Sequence, residues 1–130
     1  MPGAQTSELL HLCHRDDVPV GAGRGFLPRP GARRRVIVLN RGDHFVAYVD
    51  SCPHYRGGTP MAWRTDAYLN GSGTHLACHA HGALFDIDTG DCVSGPCMGR
   101  RLTRVPLTLE QDGSIKVPAH VAGRIREEED

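Results

Sequence analysis

Short apolar runs rich in β-branched residues alternate with turn residues along this chain, and none of the runs keeps a helical period. The runs RRVIVLN (34–40) and HFVAYVD (44–50) flank Arg41-Gly42-Asp43, which is typical of a hairpin turn. The run HLACHAHGALFDID (75–88) reaches a second turn, Thr89-Gly90, before DCVSG. The sequence therefore predicts strands that are short and paired through tight turns.

The C-terminal part repeats the same arrangement. An imperfect alternation in RLTRVPLTLE (101–110) is followed by Asp112-Gly113 and SIKVP, which predicts a third hairpin. Pro106 inside this run indicates an edge strand or a bulge, because proline cannot donate to a sheet. The best candidate for a short helix is TPMAWRTDAYL (59–69), and VGAGRGFLPRPGARRR (20–35) is predicted to be a loop with a basic tip. The fold class predicted is all-β, built of small antiparallel sheets.

Composition adds limits rather than a function. The 130 residues are typical of one domain, and we find no internal repeat or linker that would divide them. Lysine plus arginine and aspartate plus glutamate number 15 each, so net charge does not indicate a nucleic-acid or membrane partner. The N-terminus lacks an apolar stretch typical of a signal peptide, and no run is long enough for a membrane span. We expect a soluble, cytoplasmic protein.

Five cysteines without a secretory signal argue against a disulfide framework and favour metal ligation or buried free thiols. Cys52 and His54 are separated by one residue, and Cys78 and His81 by two, each pair lying at a predicted strand end. Two thiolates and two imidazoles can bind a tetrahedral zinc or an iron-sulfur cluster. Zinc modules with two cysteines and two histidines usually take both cysteines from one short loop, whereas each loop supplies one of each here. The mixed arrangement favours a [2Fe-2S] centre with two histidines on one iron.

The paired motif resembles the Rieske [2Fe-2S] domain family, in particular its soluble ferredoxin type. The residues that carry this resemblance are Cys52-Pro53-His54, Cys78 with His81-Gly82, the run LFDIDTG that follows, and Gly95-Pro96. The resemblance implies that Cys52 and Cys78 hold one iron and that His54 and His81 hold the other. It also implies that the loop containing Gly95 and Pro96 packs over the cluster.

The resemblance also divides the chain. It covers roughly residues 9 to 117, and we assign 9–119 to a Rieske domain whose cluster-binding part spans about 50–98. Residues 1–8 are then an N-terminal tail, and 120–130 form an acidic C-terminal tail. The fold implied is Rieske-like, with a cluster-binding subdomain formed by two loops.

Two differences from the family pattern bear on chemistry. His79 stands where proline is common, and we interpret it as a neighbour of the cluster and not as a ligand. High-potential respiratory members carry serine and tyrosine donors to the cluster sulfurs, and the corresponding positions here are Ala83 and Phe85. Because such hydrogen bonds stabilise the reduced cluster, their absence predicts a potential near the lower end of the Rieske range of about −150 to +300 mV.

The function that the resemblance implies is one-electron transfer, with no catalytic residue of the chain's own. The protein would take electrons from a flavin reductase and pass them to an oxygenase or a similar acceptor. Two alternatives stay open at this stage. The chain could be a small cluster-bearing subunit of a larger oxidoreductase, or a regulatory or structural module that binds zinc through the same four residues.

The remaining cysteines are interpreted more simply. Cys13 has His11 and His14 beside it, but this group lacks a fourth ligand and its members alternate between the faces of a strand, so we expect an ordinary edge position. Cys92 and Cys97 are predicted to be free, buried thiols. In the segment before Cys78, Met61 and Trp63 are predicted to anchor the loop by packing.

Overall fold

The computed structural model describes residues 9–32, 34–51, 61, 68–70, 73–78, 82–95 and 98–119. Within these ranges the regular structure consists of nine strands and one turn of 3-10 helix, Arg15–Asp17. The strands are β1 (Leu9–His14), β2 (Gly23–Phe26), β3 (Val36–Asn40), β4 (Phe45–Val49), β5 (His75–Cys78), β6 (Ala83–Asp86), β7 (Cys92–Ser94), β8 (Thr108–Leu109) and β9 (Ser114–Pro118). None of the described segments forms a helix that is long and apolar enough to cross a membrane.

The strands form three small antiparallel sheets of three strands each. Their orders are β1-β9-β8, β2-β3-β4 and β5-β6-β7. The first sheet joins the two ends of the described chain, while the other two are built from consecutive strands. The all-β prediction and its small antiparallel sheets are therefore confirmed.

Strand β3 lies at the centre of the protein, because all five of its residues are buried. Its side chains alternate between two cores: Ile37 and Leu39 face one, and Val36 and Val38 face the other. The first core also contains residues of the sheet β5-β6-β7, including Leu76 and Phe85. The second core contains Leu12, Ile115 and Val117 of the sheet β1-β9-β8. The middle sheet thus packs between the other two, which explains why β3 is apolar on both faces.

Each of the three predicted hairpins is present. Strands β3 and β4 pair from Val36↔Val49 to Asn40↔Phe45, and β8 and β9 pair on either side of Asp112-Gly113. Strands β6 and β7 pair across the turn at residues 87–89. Pro106 is exposed and lies just before β8, which is an edge strand of its sheet.

One prediction was wrong. Residues 20–35 were expected to be a loop, but Gly23–Phe26 form β2, which pairs residue by residue with β3 from Gly23↔Leu39 to Phe26↔Val36. The run GRGF has low intrinsic strand propensity, and its partner β3 supplies the ladder that holds it extended. Its glycines are used for close packing, since a Cβ on Gly25 would overlap the Tyr68 hydroxyl.

Several other predictions fall wholly or partly outside the described residues. These are the tails 1–8 and 120–130 and most of the candidate helix 59–69, including Trp63. Met61 is described and is fully buried in the core beside β3, which confirms its role as an anchor. The domain boundaries remain a prediction.

Candidate metal centre

Cys78 is the predicted ligand that the structure describes. It is the last residue of β5, it is a free cysteine, and its exposed fraction is 0%. Its register partner across the β5–β6 hairpin is Ala83, and the Gly82 N–H donates to the Cys78 carbonyl at 2.7 Å. The sequence places His79 and His81 in the connection between these two strands. Cys52, His54 and both of these histidines lie outside the described residues.

Residues of β6, the second strand of this hairpin, form an apolar surrounding for Cys78. Ala83 and Phe85 are both fully buried and belong to the same core as Cys78 and Leu76. Neither an alanine nor a phenylalanine side chain can donate a hydrogen bond. These two positions therefore lack the hydroxyl donors that high-potential members carry. An apolar shell of this kind excludes water from sulfur ligands and influences the potential of a metal centre.

The chain around β7 also lies against the β5–β6 hairpin. The Cys92 N–H donates to the Arg100 carbonyl at 2.9 Å, and Asp91 and Arg101 form a bridge, so the chain at Asp91 and Cys92 lies beside Arg100 and Arg101. Gly95, within this segment, lies directly against Ala83. The expectation that the loop of Gly95 and Pro96 packs over the cluster remains a prediction, and Pro96 lies outside the described residues.

The other half of the predicted site begins at a buried acid. Asp50 follows β4 and precedes Cys52 by two residues, and only 5% of its surface is exposed. Its carboxylate accepts hydrogen bonds from the Met61 N–H at 2.8 Å and from the Tyr68 hydroxyl at 3.2 Å. Burial raises the pKa of Asp50, while these hydrogen bonds and the charges of Arg34 and Arg35 act to lower it.

Sequence reasoning missed both Asp50 and Tyr68. The available signal was an acidic residue at the end of a strand that is otherwise apolar, immediately before a ligand motif. Charged residues are rarely buried unless they are paired, so such an acid predicts a partner. The partner itself could not be named, because Tyr68 is 18 residues away in sequence.

The group around Cys13 does not form a second metal site. Cys13 is buried on β1, and burial, with a smaller contribution from Asp17, raises its pKa to about 12, so it is a neutral thiol at neutral pH. The His14 ring is already engaged, with Nε2 2.8 Å from the Asp112 carbonyl oxygen and Nδ1 accepting from the Asp16 N–H at 3.1 Å. Among the described residues, no group of three or more His, Cys, Asp or Glu could hold a metal ion.

Cys92 is buried, and its Sγ donates to the Ser94 carbonyl oxygen at 3.4 Å. Its predicted companion, Cys97, is outside the described residues. Of the described cysteines, Cys78 alone lies at a strand end beside a predicted ligand loop. The chemistry of the donor set fits an iron-sulfur cluster, since it combines a buried free thiol with a second cysteine and two histidines.

The chain is an all-β protein whose sequence carries two cysteine and histidine pairs. Comparison with family models matches residues 8–118 to the Rieske [2Fe-2S] domain. The chain therefore belongs to the Rieske [2Fe-2S] domain family, and the predictions of an electron-transfer function and of one [2Fe-2S] cluster are confirmed. A comparison with curated proteins found no match.

Solved structures support the fold. The chain is 26% identical to the Sphingomonas yanoikuyae ferredoxin, with a TM-score of 0.65, covering 85% of this chain and 98% of that one. A chain in the complex of reduced oxygenase and oxidised ferredoxin of carbazole 1,9a-dioxygenase is 27% identical, with a TM-score of 0.63 and coverage of 85% and 92%. The terminal oxygenase of carbazole 1,9a-dioxygenase from Nocardioides aromaticivorans is 19% identical, with a TM-score of 0.59. That match covers 86% of this chain and 30% of the oxygenase chain.

Proposed function

We propose that Cys52, His54, Cys78 and His81 hold the [2Fe-2S] cluster, with the cysteines on one iron and the histidines on the other. The observation that carries this proposal is the position of Cys78, a free and buried thiol at the end of β5 within the matched family domain. When bound, the cluster accepts and releases one electron at a time. The chain's part is to supply the four donors and to shield the cysteine side with the apolar core around Ala83 and Phe85.

The protein acts as a one-electron carrier and has no catalytic centre of its own. We propose that it works in the cytoplasm, takes electrons from a flavin reductase and delivers them to an oxygenase or a similar oxidoreductase. The support is the similarity to ferredoxins, since this chain is 26% identical to the Sphingomonas yanoikuyae ferredoxin and covers 98% of it. One similar chain comes from a complex of the reduced oxygenase and oxidised ferredoxin of carbazole 1,9a-dioxygenase.

We further propose that the carrier operates at low potential. Ala83 and Phe85 occupy the positions where hydroxyl donors would stabilise the reduced cluster, and both are fully buried. Water therefore has little access from this side to replace the missing donors. The reduced state consequently lacks one source of stabilisation that high-potential members possess.

The test begins with the purified holoprotein. We expect two irons and two acid-labile sulfides per chain, and a diamagnetic oxidised form that becomes paramagnetic after reduction with dithionite. A colourless protein with one zinc per chain would overturn the proposed cofactor binding. Reduction by a flavin-dependent ferredoxin reductase with NADH, followed by reoxidation by a Rieske oxygenase, tests the carrier function. Stoichiometric co-purification with a larger oxidoreductase from the native source would favour the subunit alternative.

A further inference from the structure

We propose that Asp50 and Tyr68 are positioning residues that link the two halves of the cluster site through one buried hydrogen bond. The proposal rests on the ligand set proposed above, in which Cys52 and His54 form the first half-site and Cys78 and His81 form the second. Neither Asp50 nor Tyr68 is a ligand. Their role is to fix the distance and orientation between two loops that are separated in sequence.

Asp50 acts on the first half-site. Its backbone N–H donates to the Arg35 carbonyl at 2.9 Å, which fixes it beside the middle sheet. Its Oδ1 accepts from the Met61 N–H at 2.8 Å, and Met61 is fully buried in the core. One carboxylate therefore joins the two ends of the segment that contains Cys52 and His54.

Tyr68 acts on the second half-site. Its carbonyl accepts from the Ala77 N–H at 2.8 Å, and Ala77 directly precedes Cys78 in β5. A bridge between Leu69 and Leu76 continues this pairing along β5. The backbone of Tyr68 is thus attached to the strand that ends in the predicted ligand.

The side chains of these two residues complete the connection. The Tyr68 hydroxyl donates to Asp50 Oδ2 at 3.2 Å, in an environment where Asp50 is 5% exposed and Tyr68 is 3% exposed. Buried hydrogen bonds to a carboxylate are stronger than neutral ones and are costly to leave unmade. A displacement of Asp50 relative to β5 would break this bond, so the bond holds together the two described chain ends that lead into the half-sites.

The middle sheet makes room for this arrangement at Gly25 of β2. A Cβ on Gly25 would overlap the Tyr68 hydroxyl and would lie only 3.0 Å from the ring Cζ. An alanine there would push the ring away from its present position. The glycine therefore has a specific use in a strand that its composition does not favour.

The experiment compares Tyr68→Phe with Tyr48→Phe in the holoprotein. Tyr48 is a matched control, because it is a fully buried tyrosine of the same core whose hydroxyl donates to the Ile87 carbonyl at 2.8 Å. Each substitution removes one buried hydroxyl. Urea unfolding followed by circular dichroism reports the general loss of stability for both variants.

The distinguishing measurements are the rate of cluster loss to an iron chelator and the EPR spectrum of the reduced protein. Loss of groups that orient metal ligands typically weakens metal binding by about 10-fold or more. We expect Tyr68→Phe to lose its cluster at least about 10-fold faster than Tyr48→Phe. We also expect its EPR signals to have shifted g values or greater line widths. Equal loss rates and identical spectra for the two variants would overturn the proposal.

Three further single variants keep the test decisive if Tyr68→Phe does not assemble a cluster. Gly25→Ala retains both Asp50 and Tyr68 but displaces the tyrosine ring, so it should produce the same change in the EPR spectrum as Tyr68→Phe. Adding Gly25→Ala to Tyr68→Phe should then change the spectrum less than Gly25→Ala does in the wild type. Asp50→Asn, which keeps an oxygen for the Met61 N–H, should retain the cluster longer than Asp50→Ala. A Gly25→Ala protein with the wild-type spectrum and cluster-loss rate would contradict the proposal. A wild-type protein without a [2Fe-2S] cluster would instead refute the proposed function.

Discussion

Gly95 lies directly against Ala83: a Cβ on Gly95 would be 2.7 Å from the Ala83 Cα. Ala83 is the register partner of Cys78, so this contact places Gly95 against β6 beside the strand β5 that ends in a predicted ligand. Gly95 also has φ +103°, a backbone conformation that side chains other than glycine rarely adopt. Position 95 therefore favours glycine for two reasons: a side chain would overlap Ala83, and the backbone conformation is strained for other residues.

Gly95→Ala should destabilise the protein and accelerate loss of the cluster. Gly99→Ala is the control, since Gly99 has φ +92° but nothing within 4 Å of an added Cβ. In the control, the strained backbone alone should lower the free energy of unfolding by about 1–2 kcal/mol. Gly95→Ala should lower it by about 1–3 kcal/mol more, because the added Cβ overlaps Ala83. Urea unfolding measures both costs. Equal free energies of unfolding for the two variants would show that the contact with Ala83 contributes nothing.

Ala83→Ser should raise the reduction potential, because it adds a hydroxyl at the position where high-potential members carry a donor. A hydrogen bond stronger by about 1 kcal/mol in the reduced state corresponds to about 40 mV for one electron. Ala77→Ser is the control, since residue 77 points to the opposite face of β5 from Cys78. Protein-film voltammetry compares the two variants with the wild type. An unchanged potential in Ala83→Ser would argue against the assignment of position 83.

His81→Ala should abolish the Rieske-type spectrum, while His79→Ala should retain the cluster and at most shift its potential. The reason is that a ligand cannot be removed without opening the coordination of one iron, whereas a neighbour affects only the surroundings. Iron content and the EPR spectrum of the reduced protein distinguish the two variants. The opposite result would show that the histidine register is wrong by two residues.

The free energy of unfolding should fall as pH rises from about 9 to 12. The pKa values of Cys13 and Tyr48 are raised by burial to about 12 in the folded protein, from 9.0 and 10.0. Each group therefore binds its proton more tightly when folded, and its stabilising effect is complete below the unfolded pKa and lost as pH approaches 12.

Substitutions can assign the change in unfolding free energy with pH to Cys13 and Tyr48. One group contributes at most about 1.4 kcal/mol per pH unit. Cys13→Ala should flatten the curve from pH 9 upward, and Tyr48→Phe should flatten it only above pH 10. Chemical unfolding at a series of pH values measures both curves. A wild-type curve that is level from pH 9 to 11 would contradict the predicted burial of these groups.

The sequence by itself determined the class of the fold and predicted the residues of the candidate site. The hairpins at residues 34–50 and 75–95 follow from local turn chemistry and β-branched runs, which act between near neighbours in the chain. The motif of Cys52, His54, Cys78 and His81 is equally local within each loop. Features of this kind can be read from the order of residues alone.

Only the tertiary structure decided what packs around the site. Strand β2 forms in a glycine-rich segment because β3 offers it a ladder, and no local preference of GRGF predicts this. In the same way, Asp50 meets Tyr68, and Gly25 leaves room for the tyrosine ring. Such contacts join residues that are far apart in sequence and close only after the sheets have packed, so their energies do not appear in any short stretch of the chain.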